Sequence, residues 1–135
     1  MIVVDASVWI GVAIGDDTFH PRSFAWLATS LAGGEQYAVP TIVFPEVAGA
    51  VARRSRSVAE GDRARQLVAS TSGLHVVVVD ADLADLAARL AADLGLRGAD
   101  AVYVALSARH TCPLVTWDAE IIRKAAGVIE ARQPE

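Results

Sequence analysis

The apolar run Met-Ile-Val-Val at residues 1–4, closed by Asp5, reads as a short buried strand. Ser7 to Ile14 follows as a short helix, stopped by Gly15 and the Asp16-Asp17 pair. His20 to about Ala32 is a second helix, with Phe24, Leu27 and Leu31 at helical spacing and Gly33-Gly34 at its end. Tyr37-Ala38-Val39 reads as a strand closed by Pro40. Thr41 is the expected N-cap of a helix running to about Arg54, in which Pro45 is tolerated only in the first turn. Val58 to about Ala69 makes a further helix. His75 to Val79 is a third strand, whose four consecutive valines suggest burial on both faces.

The clearest amphipathic stripe is Leu83, Leu86, Leu90 and Leu94, capped by Asp80 or Asp82 and ended by Gly95. Asp100 is expected to begin another helix to about His110. Leu114-Val115-Thr116 is the fourth strand, Asp118 to Ala126 the last helix, and Val128-Ile129 a short edge strand. Apolar strands alternating with helices predict an α/β fold, a parallel sheet covered on both faces. No repeat, low-complexity tract or linker interrupts the chain, so residues 1–135 are expected to form a single domain.

Composition narrows the class. Hydrophobic residues make up 53% of the chain and charged residues 21%, which excludes a disordered segment. A chain of 135 residues suffices to bury roughly two-thirds of its surface. No apolar stretch is long enough to span a bilayer, and Asp5 interrupts any signal-peptide core, so the expected location is the cytoplasm, with no membrane association. The single Cys112 has no partner for an internal disulfide and reads as a small buried hydrophobe. A net charge of −4 argues against indiscriminate nucleic-acid binding. Arg53, Arg54, Arg56, Arg63 and Arg65 nevertheless form one basic segment, opposed only by Glu60 and Asp62. Global charge therefore does not decide the partner.

The chemistry gathers on four acids. Asp5 and Asp118 each follow a predicted strand, and Glu46 and Asp100 lie near helix starts. In a parallel sheet ligands bind beyond the carboxyl ends of the strands, so these acids converge if strands one and four are neighbours. Crowded carboxylates usually enclose a cation. Singly, each acid has a blander reading. Asp100 and Asp118 suit helix caps, and Glu46 suits a surface pair with Arg53 or Arg54. Asp5 precedes no obvious long helix and is less readily explained as a cap. Ser7 and Thr116 are placed to cap a helix or to hydrogen-bond Asp5. The arginines 53–65 could meet phosphates, a protein partner or only solvent. Trp9, Trp26 and Trp117 lie in apolar segments and read as packing rather than base-stacking residues. The three histidines lack metal-ligand spacing, and no glycine-rich phosphate loop or nucleophile elbow occurs.

Four segments carry a wider resemblance. They are Val-Val-Asp-Ala-Ser-Val-Trp at 3–9, Pro-Thr-Ile-Val-Phe-Pro-Glu-Val at 40–47, Leu-Arg-Gly-Ala-Asp-Ala-Val-Tyr-Val-Ala-Leu at 96–106, and Pro-Leu-Val-Thr-Trp-Asp at 113–118. Together they resemble PIN-domain nucleases, and their size and order resemble the VapC-type toxins of toxin–antitoxin pairs. Any one motif is weak; four in order are specific. The resemblance implies a three-layer α/β/α fold with a five-stranded parallel sheet in the order 3-2-1-4-5. It implies an endoribonuclease dependent on Mg2+ or Mn2+, acting on RNA as a homodimer and restrained by a cognate antitoxin. On that reading Asp5 and Asp118 ligate the metal, and Asp100 does so directly or through water. Glu46 orients the attacking water or helps hold a second ion. Arg53, Arg54 and Arg56, from the basic segment, are the candidate contacts for RNA or a partner. A few carboxylates suffice for magnesium without histidine or cysteine. Pro45, directly before Glu46, is the one departure from the family pattern.

Other classes fit less well. A PIN nuclease of RNA processing would need no antitoxin. A receiver or phosphatase-like domain would need a second acid where Ser7 stands, and a lysine after a strand, whereas the only lysine is Lys124 in the last helix. A non-catalytic interaction module would have no use for an intact acidic quartet.

Overall fold

The computed structural model describes residues 1–135 and has five strands in one parallel sheet, ordered β3-β2-β1-β4-β5. The strands are β1 (Ile2–Val4), β2 (Tyr37–Pro40), β3 (Leu74–Val77), β4 (Leu114–Val115) and β5 (Ala131–Arg132). The helices are α1 (Ala6–Ala13), α2 (His20–Ala32), α3 (Val43–Ser55), α4 (Val58–Ala69), α5 (Ala81–Leu94), α6 (Gly98–His110) and α7 (Ala119–Ala125). Parallel pairing demands a crossover between paired strands, and the helices supply it. Helices α1 to α4 pack on one another, while α5 packs on α6 and α6 lies against β1, β2 and β4. The expected three-layer α/β/α arrangement and the order 3-2-1-4-5 are what the structure has.

The three inner strands account for their sequences. Val3, Val4, Tyr37, Ala38, Val39, Leu114 and Val115 are fully buried, which is why those runs are apolar without alternation. Pairing Val3 with Leu114 and Val4 with Val115 sets the carboxyl ends of β1 and β4 side by side. Local caps agree with the global fold. Ser57 Oγ accepts from the Glu60 amide at 3.2 Å to start α4, and Asp80 Oδ1 accepts from the Leu83 amide at 2.9 Å to start α5. Gly95 ends α5 in the left-handed region at φ 66°, which costs a glycine nothing. Leu83 loses all its exposure, contributing about 1.5–3 kcal/mol.

Several expectations are corrected. The four valines are not buried on both faces: β3 is an edge strand ending at Val77, with Val76 45% exposed and Val78, just beyond it, 66% exposed. Branching at Cβ favours extended backbone whether or not both faces are covered, so the run showed strand but not burial. The fifth strand is not Val128-Ile129. The amides of Val128 and Ile129 donate to the Ala125 carbonyl at 2.9 and 3.0 Å to close α7, leaving Ala131–Arg132 to pair with β4. Thr41 does not cap α3. Ile42 stands at that position with no side-chain cap, and Thr41 Oγ1 instead accepts from the Val79 amide at 3.3 Å. Pro45 falls in the first turn of α3, where no amide is missed. Helix α6 begins at Gly98, two residues before Asp100.

Close helix contact depends on two glycines. A Cβ at Gly61 would lie 2.7 Å from the Ala48 carbonyl oxygen, and one at Gly11 2.5 Å from Ser23 Oγ. Gly61 thus lets α4 seat against α3, and Gly11 lets α1 seat against α2. Helix α1 in turn packs on α3, so the helices that carry Ser7 and Glu46 are set against each other.

Candidate functional site

The site starts from a buried charge. Asp5, only 6% exposed, ends β1 and caps α1, its carboxylate accepting from the Ser7 amide at 3.2 Å. Asp5, which precedes no long helix, is nevertheless a cap, since a short helix needs one as much as a long one. The same oxygen, Oδ2, accepts from the Ser7 hydroxyl and, at 2.9 Å, from the Thr116 hydroxyl. Each hydroxyl has one proton and spends it on Asp5. Its oxygen then accepts a backbone amide: Trp117 N–H to Ser7 Oγ at 3.1 Å, Asp118 N–H to Thr116 Oγ1 at 3.0 Å. Ser7 and Thr116 thus tie the Asp5 carboxylate to the turn that carries Asp118.

Asp118 caps α7, with Oδ1 accepting from the Glu120 and Ile121 amides at 2.8 and 3.3 Å. Asp100 stands in the first turn of α6, and Glu46 in the first turn of α3. Asp5, Ser7, Glu46, Asp100 and Asp118 line one open cavity of about 290 Å³ at the carboxyl edge of the sheet, together with Arg53 and Arg97. All four predicted acids are brought together. A larger cavity, of about 390 Å³, surrounds Cys112 and Pro113 at the other end of β4 and has Glu130 as its only acid.

Two residues of the site were not foreseen from sequence. Tyr103, fully buried, donates its hydroxyl to Glu46 Oε2 at 2.6 Å. Arg97 donates from Nε to Asp100 Oδ2 at 3.0 Å and from Nη2 to Asp118 Oδ2 at 3.4 Å. A signal for both existed, since each lies three residues from Asp100 on the α6 side of the motif, on either side of it. Glu46 makes no pair with Arg53 or Arg54. Of the three arginines singled out, Arg53 alone reaches the cavity; Arg54 pairs with Asp17 at 2.7 Å, and Arg56 ends α3 in the left-handed region. Arg63 and Arg65 pair within α4 with Glu60 and Asp62. The tryptophans are packing residues. Trp9 and Trp26 meet the edge of Tyr37, and Trp117 stacks on Phe19 and donates its indole N–H to Ser23 at 2.8 Å.

The electrostatics show how crowded the acids are. Burial pushes the Asp5 carboxyl above its ordinary range despite its hydrogen bonds, and the Asp100 charge adds to the rise. Burial likewise raises Glu46, with Asp5 and Asp100 contributing, while the Tyr103 hydroxyl and Arg97 oppose the shift. No three acidic or histidine side chains already stand in a closed cation cage. The donor chemistry fits a hard divalent cation all the same. Asp5 Oδ1, Glu46 Oε1 and Asp100 Oδ1 take no hydrogen bond from the protein, so three carboxylates in one cavity each keep a free oxygen. Cation charge would offset the burial that chiefly raises Asp5 and Glu46, and the neighbouring carboxylate charge that adds to it.

Comparison with known proteins agrees with this architecture. The family model described as the PIN domain matches residues 2–127. No curated protein matches the chain. Among solved structures, it is similar to Mycobacterium tuberculosis VapC20, a sarcin–ricin loop cleaving toxin, at 20% identity and TM-score 0.77 over 96% of this chain and 98% of that one. A toxin–antitoxin complex from Klebsiella pneumoniae matches at 19% identity and TM-score 0.71 over 100% and 98%. VapBC2 from Rickettsia felis, bound to a DNA fragment from its promoter, matches at 14% identity and TM-score 0.72 over the whole of both chains. At these identities the likeness carries the fold.

The raised Asp5 carboxyl has a consequence for stability. A carboxyl with a raised folded pKa holds its proton more tightly folded than unfolded, so its ionised form costs stability as pH rises from the ordinary carboxylate range through the raised value. Asn keeps an acceptor for Ser7 and Thr116 and remains a good N-cap. The melting temperature of Asp5→Asn relative to wild type, measured by calorimetry, should therefore rise between pH 4 and pH 7. A difference independent of pH would contradict the assigned cause.

Proposed function

The chain belongs to the PIN-domain family, and on that premise we propose that it is a divalent-cation-dependent endoribonuclease, the toxin of a toxin–antitoxin pair. The observation that carries the reading is the convergence of four carboxylates on one cavity at the carboxyl edge of β1 and β4, with three of their oxygens free. The toxin role and an antitoxin partner are supported by similarity in fold to the toxin–antitoxin proteins above, and a homodimeric state is part of the same proposal.

Hydrolysis of a phosphodiester builds negative charge on the attacking, non-bridging and leaving oxygens. Asp5, Asp100 and Asp118 would hold Mg2+ or Mn2+, whose chemistry there is positive charge set against that build-up. The protein's own groups do the rest. Ser7 and Thr116 fix the Asp5 carboxylate so that Oδ1 remains turned from its donors and unshared. Tyr103 holds Glu46 by Oε2 and leaves Oε1 to take the proton of an attacking water. Burial and neighbouring charge raise Glu46 toward the working pH, which suits a general base. Arg53 makes no ion pair with the chain's carboxylates and lines the cavity two helical turns from Glu46, where an RNA phosphate would meet it. Acids that would repel an RNA backbone thus act on it only once a cation has reversed the local charge.

The test is cleavage of mixed structured RNAs by purified protein with Mg2+ or Mn2+. Cleavage should vanish with EDTA and in Asp5→Asn and Asp100→Asn, and should fall about 10- to 100-fold in Thr116→Val, which removes a hydrogen bond behind Asp5. Equal cleavage by wild type and both Asn variants would remove these residues from the chemistry.

Tyr103→Phe removes a hydrogen bond that lowers the Glu46 pKa, so the acid limb of the pH–rate profile should move to higher pH. An unmoved limb would mean that Glu46 does not set it.

A further inference from the structure

Arg97 is the one cationic side chain that bonds to the acids of the cavity. It spans Asp100 and Asp118 with Nε and Nη2, the second contact at 3.4 Å being the longer. Its side chain is 77% exposed, and its guanidinium makes no other hydrogen bond in the protein. Its backbone, by contrast, is fixed as the N-cap of α6, and its side chain has no part in that cap. Such an arrangement anchors the residue at the cavity while leaving the charged end weakly held, since exposed ion pairs are individually weak.

The contacts conflict with cation binding. Both Asp100 and Asp118 commit Oδ2 to the guanidinium, and Asp118 commits Oδ1 to the α7 amides. Asp118 therefore has no unshared oxygen while Arg97 is in place. A divalent ion that uses Asp118 must take the position of the Nη2 contact, and a second positive charge beside it would be repelled.

We infer that Arg97 is a built-in counter-ion of the acidic cavity, which a divalent cation displaces from Asp118 and Asp100, freeing the guanidinium to bind a phosphate of the incoming strand. This rests on the metal-dependent nuclease reading. It adds an order of events: the cation loads first, and the arginine becomes available to the backbone afterwards. Arg97 is the second arginine lining the cavity, so Arg53 and the freed Arg97 present two guanidinium groups to one strand. Guanidinium suits phosphate through paired N–H donors, which a lysine at the same place does not reproduce.

Calorimetric titration of Mn2+ into wild type, Arg97→Ala, Arg97→Lys and Asp100→Asn, without nucleic acid, tests the exchange. Arg97→Ala should bind Mn2+ roughly three- to tenfold more tightly than wild type, because a competing ion pair is gone. Arg97→Lys should fall between them and Asp100→Asn should bind more weakly. A single-stranded DNA oligonucleotide, offering the same backbone phosphates, tests the second step by fluorescence anisotropy. Mn2+ should strengthen its binding to wild type more than to Arg97→Ala. Unchanged or weaker Mn2+ binding in Arg97→Ala, with binding still weakened in Asp100→Asn, overturns the exchange and leaves the metal site standing. No Mn2+ binding by either wild type or Arg97→Ala overturns both readings. An equal effect of Mn2+ on the oligonucleotide in wild type and Arg97→Ala overturns the phosphate contact.

Discussion

The Asp5 carboxylate sits at the meeting point of β1, α1 and the turn after β4, and its three hydrogen-bond donors come from Ser7 and Thr116. Hydrogen bonds to a charged acceptor are worth about 1.5–3 kcal/mol each, yet burial still leaves this carboxyl harder to ionise than an ordinary one. The fold thus carries a charge that its own interior disfavours. Truncating either hydroxyl would also leave a backbone amide of the β4–α7 turn without its partner. Position and protonation of Asp5 and placement of Asp118 are one structural problem with one solution.

Topology makes that solution available. Placing β1 beside β4 brings two strand ends together, and each end runs into a helix whose first residues are fastened by an aspartate. Helix N-termini favour negative charge, so the fold gathers acids there at reduced cost. A third and a fourth acid arrive on the first turns of α3 and α6. Capping and function are consequently not alternatives at Asp118, where one oxygen serves the helix and the other faces Arg97. Such a site sacrifices some stability for chemistry, as functional sites commonly do.

Much of this was legible in the chain. The apolar runs at 1–4, 37–39 and 114–116 marked the buried strands, and the acids after the first and last of them marked the edge where ligands bind. The adjacency of β1 and β4 was not in the pattern; it came with the four-segment resemblance. Where the pattern failed, a tertiary partner decided. The valines at 76–79 satisfy strand propensity at a sheet edge as well as at its centre, so exposure of Val76 and Val78 left no local trace. Thr41 looked like a cap, but its hydroxyl oxygen went to Val79 across the sheet. Tyr103 and Arg97 were visible as letters in a motif. Their roles needed a fold that sets α6 against α3 and β4, because Tyr103 reaches Glu46 across 57 residues and Arg97 reaches Asp118 across 21.

The central claim is that these acids form a cation site whose free oxygens are Asp5 Oδ1, Asp100 Oδ1 and, once Arg97 withdraws, Asp118 Oδ2. Anomalous diffraction from crystals of the protein soaked in Mn2+ tests it most directly. The account predicts a manganese peak in the acidic cavity within about 2.0–2.2 Å of oxygens of Asp5 and Asp118, with Asp100 bound directly or through water. Manganese absent from that cavity at saturating concentration, or bound only at other carboxylates, would contradict it.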